Sequence, residues 1–267
     1  MKRVKQISII GLLLIAVSCK KNDNEEKRIP CIPGGLSNNV IAFYPFSNGS
    51  LNDMSGNQHH LTNPTSATSS SDRNGNTNCA YEFKNIPSSS EFLTTTSTSF
   101  LNNLNEFSIS LWYQPKDSTR NGADFECLIN RDLSISCPDR NGQWSVALYD
   151  CRKAVFGRTN SVWDKNIINI NNFNCQEEVN NRTGNWNHLV ATFKQNGVEM
   201  KIYRNNVLQA SSMGDIVCDT GTPSCQDIGD LFLGKDYTGK IDDLIIFNKA
   251  LSQQEINDLF NMETCCE

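Results

Sequence analysis

The segment Phe107-Ser108-Ile109-Ser110-Leu111-Trp112-Tyr113 constrains the fold more than any other stretch of the 267 residues. Its apolar residues recur at every second position, so in an extended chain Phe107, Ile109, Leu111 and Tyr113 share one face and Trp112 lies on the other. Such a segment must bury one face of a sheet against a second layer. Val198, Met200 and Ile202 repeat the pattern, with Glu199 and Lys201 opposite. Between Tyr203 and Val207 lies Arg204-Asn205-Asn206, and Asn tolerates the positive φ of a tight hairpin. Further strands are predicted at Val40–Tyr44, Ala80–Phe83, Trp144–Tyr149, His188–Phe193, Leu231–Leu233 and Ile241–Phe247. The Ser/Thr-rich runs Thr65–Ser71 and Thr94–Ser99 read as loops or edge strands of the same domain. A single helix stands out. Ser252-Gln253-Gln254-Glu255 is a capping box, and Leu251, Ile256, Leu259 and Phe260 give the helix an apolar side that closes the sandwich.

The N-terminus reads as an export signal. Lys2, Arg3 and Lys5 precede the apolar stretch Ile7 to Val17, which is shorter than the roughly 20 residues a membrane span needs. The stretch runs into Ile15-Ala16-Val17-Ser18-Cys19, which resembles a bacterial lipobox, whose cysteine is lipidated and becomes the new N-terminus. An ordinary signal peptide cut nearby would leave Cys19 a spare thiol. The expected organisation is a signal peptide over 1–18, a lipidated cysteine and polar tether over 19–37, and one domain over 38–267. The charged run Lys20 to Arg28 resembles the acidic stretch behind the lipid cysteine of surface-exposed lipoproteins in some Gram-negative bacteria. The expected location is therefore extracytoplasmic and lipid-anchored to the outer membrane, with the lipid as the only membrane contact. A net charge of −5 without a Lys/Arg cluster excludes nucleic acid as a partner.

Beyond Cys19 the cysteines fall at 31, 79, 127, 137, 151, 175, 218, 225, 265 and 266, with no C-x-x-C spacing and no histidines grouped beside them. In an exported chain an even number points to disulfides rather than zinc. Proximity favours Cys218–Cys225, Cys127–Cys137 and Cys151–Cys175, which leaves Cys31 and Cys79 for the adjacent Cys265 and Cys266. That remainder ties the two ends of the domain together.

Four ordered blocks carry a family resemblance. Ala42-Phe43-Tyr44-Pro45-Phe46 with Asp53-Met54-Ser55-Gly56-Asn57 resembles the opening of laminin-G-like, concanavalin-A-like domains. Phe107 to Pro115 is similar to their central strand, and Asn185-Trp186-Asn187-His188-Leu189-Val190-Ala191 to their "WxHvA" strand. Gly239 to Phe247 followed by Lys249-Ala250-Leu251-Ser252 is similar to the closing strand and cap. The resemblance implies an all-β, two-sheet antiparallel jelly-roll sandwich with one short C-terminal helix. It covers nearly all of 38–262 but departs from the common pattern between Cys127 and Cys175. That fold hosts lectins, carbohydrate-binding modules, adhesion domains and glycosidases, so it implies no single function.

Catalytic patterns are missing. The E-x-D-x-x-E strand shared by glycosidases of this fold is not in the sequence, and neither is a G-x-S-x-G elbow. The acidic doublets Glu177-Glu178 and Asp242-Asp243 are adjacent, and in a regular strand adjacent side chains diverge. His188 reads as a packed core residue, and His59 and His60 diverge if extended. Asp53, Ser55 and Asn57 offer hard oxygen ligands for a structural Ca²⁺, completed by Asp242 or Asp243 if, as in related domains, the closing strand lies beside the opening one. The same residues equally make an Asx-turn. For a sugar, Trp163 is the best platform candidate, in what reads as a loop, with Trp144, Tyr149, Trp112 and Arg158 as further ligand-binding candidates. The function expected is non-catalytic binding of a glycan at the cell surface, or else adhesion to a surface protein, or, third, a glycosidase or lyase.

Overall fold

The computed structural model describes residues 28–85, 90–116, 125–132, 144–149, 152–157, 161–163, 184–196, 199–213 and 229–266. The signal segment and Cys19 lie outside them. Fourteen strands are described: β1 (Val40–Tyr44), β2 (Thr68–Ser70), β3 (Ala80–Phe83), β4 (Leu93–Thr95), β5 (Glu106–Pro115), β6 (Phe125–Asp132) and β7 (Trp144–Tyr149), then β8 (Lys153–Gly157), β9 (Ser161–Trp163), β10 (Asn187–Lys194), β11 (Glu199–Arg204), β12 (Val207–Met213), β13 (Asp230–Leu233) and β14 (Gly239–Phe247). Helix α1 (Gln253–Phe260) follows. The strands form two antiparallel sheets. One has eight strands in the order β12-β11-β10-β5-β14-β3-β2, with β1 also paired to β14, and the other six in the order β4-β13-β6-β7-β8-β9. The Ser/Thr-rich runs supply β2 and β4, each at the edge of its sheet. Short, polar strands suit edges, where one side of the ladder is open.

Alternation in β5 does what the sequence predicts. Phe107, Ile109, Leu111 and Tyr113 are buried between the sheets, and the Phe107 ring packs 5.7, 6.0 and 5.4 Å from those of Trp144, Phe156 and Phe193. Asn205 and Asn206 turn the β11–β12 hairpin with φ of 49° and 66°. The predicted capping box forms: Ser252 Oγ accepts from the Glu255 N–H, and the Ser252 N–H donates to Glu255 Oε2 at 2.8 Å.

A second apolar layer lies on the outer face of the eight-stranded sheet, where α1 packs Ile256 and Leu259 against Val190, Ile245 and Phe247. Ile29, Ile32 and Leu36 join that layer, so part of the segment assigned to the polar tether is packed structure. Its apolar residues give it a reason to dock, and a disulfide holds it there. Cys31 bonds Cys265 and Cys79 bonds Cys266, with Cα–Cα separations of 5.7 and 5.6 Å. The pairing of Cys31 and Cys79 with the vicinal cysteines is as expected. Cys127 is buried in β6, while Cys137, Cys151, Cys175, Cys218 and Cys225 lie outside the described residues. Among the described residues, no helix is long and apolar enough to cross a membrane.

Candidate ligand-binding site

Two polar clusters interrupt the apolar layers. The first lies beneath α1, where cross-strand register places Asp242, Trp112 and His188 in one row across β14, β5 and β10. Asp242 and Asp243 do not diverge as the doublet predicts. The register of β14 slips between Asp242 and Ile245, and Asp243 takes φ of 44°, so the bulge turns both carboxylates onto one guanidinium. Arg73 Nη1 lies 2.8 Å from Asp242 Oδ2 and 2.6 Å from Asp243 Oδ2, its Nη2 donates to the Met262 carbonyl at 3.0 Å, and its guanidinium carbon sits 4.6 Å from the centre of the Trp112 ring. Phe260 of α1 stacks on that ring with centroids 5.7 Å apart.

Of the residues expected to share a calcium ion, Asp242 and Asp243 face Arg73, while Asp53 turns to the backbone of its own loop and of β1. Asp53 Oδ1 accepts from the Phe43 and Ser55 N–H groups, and Oδ2 from the Ser55 hydroxyl and the His59 N–H. Asn57 donates its amide to the Ile41 carbonyl. The loop is an Asx-turn that pins β1. Among the described residues, the His, Cys, Asp or Glu ligand atoms that gather in threes within 4.8 Å are those of Asp72, Cys79 and Cys266, two of them already in a disulfide.

Ser110 Oγ and His188 Nε2 lie 2.8 Å apart, but they do not make a nucleophile and base. Both residues are buried, Trp112 and Phe260 pack on the imidazole, and His188 Nδ1 has no hydrogen-bond partner where a triad would place a carboxylate. Burial, with the Arg73 charge adding to it, lowers the His188 pKa to about 3. Burial raises Asp243 to about 6 against the pull of Arg73, and burial with repulsion from Asp243 raises Asp242 well above its ordinary value.

The two effects oppose each other. A raised carboxyl contributes stability that is fully present below its unfolded pKa and lost as pH rises through the folded one. A depressed imidazole contributes stability that is lost as pH falls below its unfolded value, because the unfolded chain then takes up a proton that the fold refuses. Between about pH 4 and 6 the slopes have opposite sign. Melting curves across that window should therefore fall more steeply with acid in Asp242→Asn/Asp243→Asn, and improve with acid in His188→Gln. Profiles parallel to the parent's in both variants would show that the cluster does not titrate as described.

The second cluster sits on the outer face of the six-stranded sheet, where half-buried rings lie beside buried polar groups. Register sets Thr94, Phe232, Asn130, Ser145 and Gly157 in one row across β4, β13, β6, β7 and β8. Phe92, just before β4, meets Phe232 edge to face with ring centroids 5.5 Å apart, and both rings are half-buried. Lys235 Nζ lies 5.1 and 5.0 Å from their centres. The platform is rigidly mounted. The Phe92 N–H donates to Thr65 Oγ1 at 3.2 Å, and Thr94 Oγ1 donates to the Leu231 carbonyl at 2.8 Å. Beside Phe232, Asn130 Oδ1 and Ser145 Oγ are buried and make no hydrogen bond.

Most of the predicted sugar-binding set lies elsewhere. Trp144 faces inward and is core, because alternation in β7 aims it at Phe107. Trp112 lies under Phe260 and Arg73. Tyr149 is half-buried against Cys127, Ala147 and Val155. Trp163 belongs to a strand, β9, where it pairs with Val155, rather than to a loop, and Arg158 lies outside the described residues. Phe92 and Phe232 are not among the sequence candidates, because a phenylalanine in a strand reads as core. The alternation of Leu231-Phe232-Leu233 was the available signal, since it turns the middle ring outward.

A family described as the concanavalin A-like lectin/glucanases superfamily matches residues 87–257, more than half of the chain. The chain belongs to that superfamily. The matched region runs from β4 into α1, so it holds the whole six-stranded sheet and the Phe92–Phe232 platform. No curated protein matches the sequence. Among solved structures, the binding domain of botulinum neurotoxin serotype D is similar over 85% of this chain and 52% of its own, with 16% identity and a TM-score of 0.60. The serotype C1 binding domain is similar over 84% of this chain and 52% of its own, with 18% identity and a TM-score of 0.61. For the serotype D/C VPI 5993 binding domain the identity is 17%, the coverage 84% and 52%, and the TM-score 0.63. This superfamily member spans about half the length of those chains, and at such identity the likeness speaks for the fold.

Proposed function

We propose that this protein is a non-catalytic glycan-binding module, exported and held at the outer membrane by a lipid on Cys19, that takes its ligand on the outer face of the six-stranded sheet. The observation carrying this reading is the half-buried Phe92–Phe232 pair, rigidly mounted and adjacent to Asn130 and Ser145 in the same cross-strand row. Aromatic faces take the C–H side of a sugar ring, and a few fixed polar groups orient it. The superfamily supports a saccharide ligand without requiring catalysis. The reading against catalysis rests on the sequence and on the geometry of the described residues. The six-stranded sheet has no alternating carboxylate pair, and Glu126 of β6 is bridged to Arg152.

A glycan array with the mature protein tests the reading. Saturable binding is expected, weakened about tenfold or more by Phe232→Ala. Unchanged affinity in that variant would move the site off the platform, and hydrolysis of any polysaccharide would overturn the non-enzymatic part. A second reading, adhesion to another protein, draws on Val207, Leu208 and Met213, three exposed large apolar residues on the edge strand β12. Silence across the array would favour it.

A further inference from the structure

We infer that β12 is an interface at which two copies of this chain join their eight-stranded sheets into one, antiparallel about a two-fold axis through Ser211. The four strands that end the two sheets are not alike. β2, β4 and β9 have three residues each, while β12 has seven. Short length, charge or proline ordinarily protects an edge strand from pairing with another chain. β12 has none of these, since Val207-Leu208-Gln209-Ala210-Ser211-Ser212-Met213 contains neither a charged residue nor a proline. It instead presents Val207, Leu208 and Met213 to water, at 58, 43 and 75% exposure. Among the described residues, Met54 is the only other exposed large apolar side chain.

The outward side of this strand is its own complement. Tyr203 pairs with Leu208 and Ile202 with Ala210, so Gln209 is the extra residue of a bulge. Ala210 faces the core between the sheets, whereas Leu208 shares the outer side with Tyr203. Ser211 and Met213, opposite Lys201 and Glu199, lie on that outer side too. Counted without the bulge residue, Leu208 stands two places before Ser211, and Met213 stands two places after it. A two-fold axis through Ser211 therefore sets Leu208 of each copy against the partner's Met213, and Ala210 against the partner's Ser212. This self-match favours a second copy over an unrelated chain. It also joins two molecules of net charge −5 along a strand that brings no charge of its own to the contact. The axis stands perpendicular to the joined sheet, so both six-stranded sheets lie on one side of it and the two Phe92–Phe232 platforms face the same way.

The test is sedimentation equilibrium of the full mature chain in density-matched detergent, which reads the mass of the protein alone. A monomer–dimer equilibrium with a Kd on the order of micromolar is expected. Leu208→Glu should weaken it about tenfold or more, since the two-fold repeats each lost contact. Because Leu208 and Met213 are exposed, their variants should melt where the parent does. Leu208→Glu/Met213→Lys sets opposite charges across the axis and should recover most of the association that Leu208→Glu loses. On oxidation, Ser211→Cys should give a disulfide-linked dimer under conditions that leave the parent unlinked. A chain that stays monomeric up to about 100 μM overturns the inference. So does a dimer that Leu208→Glu leaves intact or that Ser211→Cys fails to cross-link, because the contact then lies elsewhere. None of these outcomes depends on whether a glycan is bound.

Discussion

Arg73→Ala is expected to destabilise the domain by about 3–5 kcal/mol, the largest loss we foresee from one substitution, because it strands two buried carboxylates. In the parent both Asp242 and Asp243 lean on Arg73 Nη1, and the same guanidinium caps Trp112 and holds the Met262 carbonyl. Removing it leaves two buried carboxyl groups side by side with no cation, so ionising either one in this poorly solvated site becomes more costly still. In a domain of this size that loss should lower the melting temperature by about 6 °C or more. The mechanism makes a second demand. If stranded charge is the cause, Arg73→Ala/Asp242→Asn/Asp243→Asn should recover a large part of the loss, although it restores no ion pair. Urea titration of the parent, the single and the triple variant decides this. A triple variant no more stable than Arg73→Ala would show that packing on Trp112 and Met262, rather than charge, carries the effect.

Breaking both terminal disulfides with Cys265→Ser/Cys266→Ser is expected to cost about 2–5 kcal/mol. The bonds join residues 234 and 187 positions apart, so each closes a long loop in the unfolded chain, and long loops are where a cross-link removes most entropy. They share one end, so the second bond adds less than the first. Locally, the bonds hold Ile29, Ile32 and Leu36 and the end of the chain against the α1 layer. Loss of stability should therefore come with faster proteolysis at the N-terminal segment, read by limited digestion with and without a reductant. An unchanged digestion pattern would mean that apolar packing alone keeps this segment in place.

Much of the architecture was legible in the residues because sheets and caps are local. β1, β3 and β7 fall at the boundaries predicted from alternation, and the Ser252 to Glu255 box placed the helix to the residue. β6, β8 and β9 have no counterpart among the strands predicted from alternation. Glu126, Arg131 and Arg152 sit in or beside those strands and interrupt the pattern, yet they are buried by pairing across the fold, Arg152 with Glu126 and Arg131 with the Leu101 carbonyl. Charge at a buried position is invisible as such until the partner is known.

The candidate site divides along the same line. By itself the sequence determined the alternation of β5, the hairpin at Asn205 and Asn206, the helix cap and the stock of cysteines, since each depends on residues a few positions apart. Only the tertiary structure decided that Asp242 and Asp243 face the same way, because a bulge at the point where β14 exchanges β3 for β1 overrides strand alternation. It alone brought Arg73 to them across 169 and 170 residues, and Phe92 to Phe232 and Lys235 across the edge of a sheet. Such contacts follow from which strands become neighbours, and that order is set by burial summed over the whole chain rather than by any segment of it.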